Sequence, residues 1–76
     1  MYYIKMNKKE IIDKISDNIR LERLKKRYSQ EKLAEMANIT QKYLNLIENK
    51  KANPSIVIIV NICQALGVKI SELVDF

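Results

Sequence analysis

"SQEKLAEMANITQKYLNLIEN", residues 29–49, decides the fold of this chain. Two hydroxyl residues, Ser29 and Thr40, each stand just before a helix-forming run, where a side-chain oxygen accepts from the first free amides of a helix. After Ser29 comes "QEKLAEMA", with Glu31 in its first turn and Leu33, Ala34 and Ala37 on one side. Asn38 follows, and asparagine tolerates the left-handed conformation that ends helices. Only Asn38, Ile39 and Thr40 separate the two helices, so the chain turns a sharp corner. Leu33, Ala37, Ile39, Leu44 and Ile47 fall where such a corner needs apolar contacts. Ala34 is small where the second helix passes close. Together these spacings predict a helix-turn-helix, with its second helix running to about Asn49.

Working outward, the rest of the chain reads as all-α. Gly and Pro occur once each in 76 residues, at Gly67 and Pro54. Asn7 is a good N-cap, with Glu10 three residues on. Ile11, Ile12, Ile15, Ile19 and Leu24 fall at helical spacing and predict a first helix to about Arg27. Residues 1–6 form an N-terminal extension and 7–76 a single domain. Residues 55–62, "SIVIIVNI", have the β-branched composition of a strand. Pro54 and Ser55 before it and "ALG" after it are the marks of a helix, and burial overrides weak propensity. Ile56, Ile59, Val60, Ile62, Cys63 and Leu66 are then its core side. Val57 and Ile58 are surplus apolar residues. Ser71 is the expected cap of a short fifth helix, "ELVDF".

Composition narrows the function. There is no His and one Cys, which excludes His-based triads and an internal disulfide and leaves no zinc cluster. No catalytic constellation, metal or cofactor is expected, and Cys63 reads as core filling. The longest apolar run is five residues, far below the roughly 20 that span a bilayer. A soluble cytoplasmic protein that is not an enzyme is expected. The formal net charge is +5, and six of the basic residues (Arg20, Arg23, Lys25, Lys26, Arg27, Lys32) lie between Arg20 and Lys32. Such an excess suits a polyanion.

In the third helix, about 100° per residue puts Tyr43, Leu44, Ile47 and Glu48 on one side. Gln41, Lys42, Asn45, Leu46 and Asn49 lie on the other. That outer row holds amides and a lysine but no acid. Gln or Asn pairs with adenine and Lys with guanine.

"NIRLERLKKRYSQEKLAEMANITQKYLNLIENKKANPS…ALGVKISEL" resembles the phage-repressor and Cro-like helix-turn-helix proteins, the XRE family, over about Ile15 to Leu73. The "SQEKLA", "IEN" and "NPS…ALGV" signatures fall in one register. The resemblance implies a compact five-helix, lambda-repressor-like domain whose third helix enters the DNA major groove. It implies base reading by Gln41, Lys42 and Asn45. Leu46 stands where relatives often have a polar contact; it is either a thymine-methyl contact or an exposed Leu. Ser29, Gln30, Thr40, Asn49, Lys50, Lys51 and Asn53 are the implied backbone contacts, with Gln30 also bracing Gln41. Tyr43 is either a sugar–phosphate contact or a half-buried ring at the corner. Arg23 and Glu48 match an ion pair that joins the first helix to the third. Lys50 replaces a usual Gly, so the turn there is expected to differ.

Val57 and Ile58 suggest a contact surface. Either a second copy covers it, extended by Ile70, Leu73, Val74 and Phe76, or Tyr2, Tyr3 and Ile4 of the extension fold over it. The resemblance favours a homodimer. The expected function is a dimeric, sequence-specific DNA-binding transcriptional regulator, a repressor in sense, with double-stranded DNA as partner. The competing reading is a protein-interaction module or antitoxin whose main partner is another protein.

Overall fold

The computed structural model describes residues 5–76, so Tyr2, Tyr3 and Ile4 lie outside the described residues. Five helices occur among the described residues: α1 (Lys8–Lys25), α2 (Gln30–Met36), α3 (Gln41–Glu48), α4 (Ile56–Leu66) and α5 (Ile70–Leu73). No strand occurs among them.

The helix starts follow the expected side-chain chemistry. Asn7 Oδ1 accepts from the Glu10 amide at 2.8 Å and Ser29 Oγ from the Lys32 amide at 3.0 Å. Thr40 Oγ1 accepts from Tyr43 at 3.1 Å and Ser55 Oγ from Ile58 at 3.3 Å. Each satisfies a donor that a helix cannot pair internally. α5 departs from this pattern. Its N-cap is Lys69, with no side-chain cap bond, and Ser71 lies inside the helix. Burial sets its phase instead: Val68 packs on the core and Leu73 is fully buried, so the helix must begin early enough to return Leu73 inward.

The ends of α1 to α4 share one geometry. Arg27, Asn38, Lys50 and Gly67 have φ of 59°, 58°, 64° and 70°. The residue after each donates to a carbonyl five positions back: Tyr28 to Arg23, Ile39 to Ala34, Lys51 to Leu46 and Val68 to Cys63. This is the Schellman closure of a helix. Only the last uses glycine. The other three hold side chains in the left-handed region, at a cost of about 1 kcal/mol or more, least for asparagine. Lys50 therefore keeps the left-handed turn rather than changing it.

One apolar centre joins all five helices. Ile19, Leu33, Leu44, Ile47, Ile62 and Leu73 are fully buried. Ala34 and Ala37 are also buried, small enough to let α3 cross closely. α1 is less buried than its apolar residues suggest: Ile11 and Leu24 are exposed. Leu24 lies five residues beyond Ile19, about 140° around the helix, and so points away from it.

α4 corrects the expected inward face. Ile59, Ile62, Cys63 and Leu66 are buried, but Ile56 is 64% exposed and Val60 37%. The four buried residues define one arc, and Val60 stands about 110° from its centre. Ile56 is in the first turn, beyond that arc's cover. Ile58, expected at the surface, is half-buried against the core. It lies on the flank of α4 shared with Ala65, which lines one cleft together with Met36 of α2 and its C-cap Ala37. The exposed apolar stripe is thus Ile56, Val57 and Val60.

Cys63 is buried, and burial pushes its thiol pKa up, with the Glu72 carboxylate adding to the effect. That matches core filling.

A Cβ added at Gly67 meets nothing within 4 Å, so Gly67→Ala tests backbone conformation alone. It should cost about 1 kcal/mol in denaturant unfolding. Arg27→Gly, at an exposed position with the same φ, should gain up to about 1 kcal/mol.

Candidate nucleic-acid interface

α3 presents the row that its spacing predicts. Gln41, Lys42, Asn45, Leu46 and Asn49 are exposed, while Leu44, Ile47 and Glu48 are buried. Tyr43 is half-buried and packs on the core, which favours the corner-closing role of its ring. Leu46 is 37% exposed, a single apolar residue in a polar row.

Glu48 is the buried carboxylate that the sequence placed on the inner side. Arg23 Nε donates to its Oε2 at 2.8 Å and Arg23 Nη2 to its Oε1 at 3.0 Å. Arg23 Nη1 also donates to the Tyr28 carbonyl at 2.9 Å, which fixes the guanidinium from its other side. The side chains are 12% and 2% exposed, so the pair is largely removed from water. This two-pronged geometry is the strong form of a charged hydrogen bond. It also turns the one acid of α3 away from the outer face.

Gln30 joins this pair to the outer row. Its Nε2 donates to Glu48 Oε1 at 3.1 Å. Its Oε1 accepts from Asn45 Nδ2 at 3.2 Å. Gln30 therefore braces Asn45, not the expected Gln41. The physical reason is the anchor: Glu48 holds the Gln30 amide beside the second half of α3, where Asn45 is three residues before Glu48 and so a neighbour on the helix surface.

The remaining backbone candidates surround this row. Ser29 and Thr40 use their oxygens as caps, yet each hydroxyl keeps its own donor. Asn49 Nδ2 donates to the Asn45 carbonyl at 2.9 Å. Lys50 Nζ lies 3.1 Å from Asp17 Oδ1, so here it leans back to α1 rather than outward. Exposed pairs of this kind are weak and easily exchanged. Lys51 and Asn53 are exposed. After the turns ending α1, α2 and α4, the closing residue (Tyr28, Ile39, Val68) packs on the core; after α3 it is the exposed Lys51. No group of His, Cys, Asp and Glu suited to a metal ion occurs among the described residues.

A family model described as "Helix-turn-helix" matches residues 19–73. The chain belongs to the XRE-type helix-turn-helix family. It is accordingly a DNA-binding transcriptional regulator in class. Among solved structures it is similar to the restriction-modification controller protein C.AhdI from Aeromonas hydrophila, with 31% identity over 82% of this chain and 94% of that one and a TM-score of 0.79. It is also similar to the hypothetical transcription factor NHTF from Neisseria, with 27% identity, 97% and 86% coverage and a TM-score of 0.81. A third is the controller C.Esp1396I, described as a tetramer in complex with its natural 35 base-pair operator, at 30% identity, 83% and 93% coverage and a TM-score of 0.75. No curated protein matches the chain.

The expected contact surface around α4 and α5 is also revised. Val57 is exposed, as are Ile70, Val74 and Phe76. Leu73 is fully buried and so serves the core of this chain rather than a surface, while Ile58 is half-buried, packing in part against the core. Leu73 is also held through its backbone, since Asn18 Nδ2 donates to its carbonyl at 2.7 Å. The sequence carried no signal for that clamp between α1 and α5. Lys14 Nζ, 6.0 Å from the Phe76 ring centroid, is a second link that sequence reading missed.

Truncating one partner of the ion pair strands the other. Arg23→Ala should cost about 3–5 kcal/mol in denaturant unfolding. Because the loss is shared, the double variant Arg23→Ala/Glu48→Ala should be less unstable than the sum of the two singles.

Proposed function

We propose that the protein is a sequence-specific repressor that binds its operator as a dimer in the cytoplasm, with α3 of each copy in a major groove. The observation that carries this reading is the exposed row Gln41, Lys42 and Asn45, with the only acid of α3 drawn inside by Arg23. A row that displays amide donors and acceptors together with a cation meets base edges without opposing phosphate. Ser29, Gln30, Thr40, Asn49, Lys50, Lys51 and Asn53 are the proposed backbone contacts, which set register and salt dependence. The Tyr43 hydroxyl is proposed as a further backbone contact, its ring closing the corner, and Leu46 is proposed to meet a thymine methyl. C.Esp1396I, similar over most of this chain, is described on its own operator as a tetramer. That supports both DNA binding and self-association here.

Dimerisation serves the same end. One helix reads few bases, and each mismatch costs only about 1–3 kcal/mol. Two helices about 34 Å apart read two half-sites across one DNA turn. The residues assigned to the interface are Val57, with Ile56 and Val60 beside it on α4, and Ile70, Val74 and Phe76 at the C-terminal end. These apolar side chains are exposed in the single chain.

Selection from randomised duplexes at fixed salt should return a two-fold symmetric motif. Gln41→Ala and Asn45→Ala should each weaken binding to it by about 1–3 kcal/mol and relax one position per half-site. Affinity indifferent to both changes would sink the base-reading assignment. Lys51→Ala should weaken all sequences alike and lower the salt slope by about one. In sedimentation, Val57→Asp should convert a dimer to a monomer; an unchanged sedimentation coefficient places the interface elsewhere.

A further inference from the structure

We propose that Glu48, acting through Gln30, fixes which way the side-chain amide of Asn45 faces, and thereby sets the base that Asn45 prefers. The inference rests on the base-reading role of α3 proposed above.

The chemistry runs in one direction. The Glu48 carboxylate, gripped by Arg23 through two hydrogen bonds, can only accept. The Gln30 amide has one end that donates and one that accepts, so its Nε2 end must face Glu48, as it does at 3.1 Å. Its Oε1 is then committed to the opposite side, where it meets Asn45. An acceptor there requires a donor, so Asn45 must turn its Nδ2 toward Gln30. A glutamine or asparagine amide alone has two nearly isosteric orientations. Here a half-buried glutamine, anchored on a buried carboxylate, removes that freedom from a residue on the exposed row.

Asn45 is left with its Oδ1 and one Nδ2–H for other partners. They stand in a fixed order along the groove-facing edge. Adenine offers N7 as acceptor and N6 as donor, and one amide orientation matches both. The reversed amide sets acceptor against acceptor and donor against donor. The relay thus makes Asn45 an adenine reader of one polarity, and Glu48 and Gln30 are positioning residues that specify it.

Two variants break the relay at different points. In Glu48→Gln the new amide can accept or donate, so Gln30 faces it either way and the order is lost. Gln30→Met keeps the bulk near Asn45, removes one hydrogen bond to Glu48 and leaves both Arg23–Glu48 hydrogen bonds in place, which guards against a folding defect in the first variant. Selection from randomised duplexes should show, in both, a fall of about five- to tenfold in preference for adenine at the one position that Asn45→Ala also relaxes. Preferences assigned to Gln41 and Lys42 should stay within about twofold. Gln30→Met added to Asn45→Ala should cause no further loss at that position.

In the free protein, NMR should show the two Asn45 Nδ2 protons well separated in the wild type. They should move toward the values of an unbonded asparagine in Gln30→Met. A uniform drop in affinity with an unchanged base profile, or unchanged Asn45 amide resonances, overturns the relay alone. A wild type that enriches no motif overturns the DNA-reading proposal and this one together, whatever the resonances show.

Discussion

The Arg23–Glu48 ion pair is the constraint on which the rest of the arrangement depends. It bridges 25 positions in sequence and ties the end of α1 to the end of α3. A carboxylate so little exposed requires its partner, and the partner is itself held by the Tyr28 carbonyl at the turn into α2. Three helices therefore meet at one charged cluster. Such a pair is weak evidence of net stability, since desolvation offsets most of its attraction. Its effect is geometric. It sets the rotation of α3 about its own axis, so the acid is inside and the amide row outside.

Around this anchor the backbone is closed by repetition of one device. Four successive helices end in the same left-handed turn, three of them without glycine. The strain at Arg27 and Lys50 is tolerated because the bonds after each turn hold the chain regardless of the side chain at the strained residue. The corner between α2 and α3 depends most on this closure, with Asn38 as the hinge residue and Ile39 anchored in the core. A short, doubly bonded corner keeps the two helices at a fixed angle, and the proposed groove reading requires that rigidity. The third closure, at Lys51, gives up the apolar anchor used elsewhere and shows a cation beside the proposed DNA face.

Charge and apolar surface are divided between different parts of the domain. Basic residues cluster at the end of α1 and in the turn after it, and again just beyond α3, while α2 carries one lysine and two acids. α4, with its exposed apolar residues, carries no charged side chain. A small domain with both kinds of surface can meet a polyanion on one and a second copy on the other. No helix among the described residues is long and apolar enough to cross a membrane.

The sequence by itself determined the helices, the caps of the first four and the corner, because these are local: a hydroxyl or amide three residues before its donor, an asparagine able to go left-handed, an apolar residue every third or fourth place. It also determined which side chains of α3 share one face, since that follows from helical spacing alone. Only the tertiary structure decided what competes for a shared interior. It moved Ile58 and Leu73 inward and left Ile56 and Val60 outside, because five consecutive β-branched residues on α4 exceed the arc that α1, α2 and α5 can cover. It started α5 before Ser71, because burial of Leu73 outweighs a cap. It gave Gln30 to Asn45 rather than Gln41, because a carboxylate held by an arginine from a distant helix had already fixed one end of that amide.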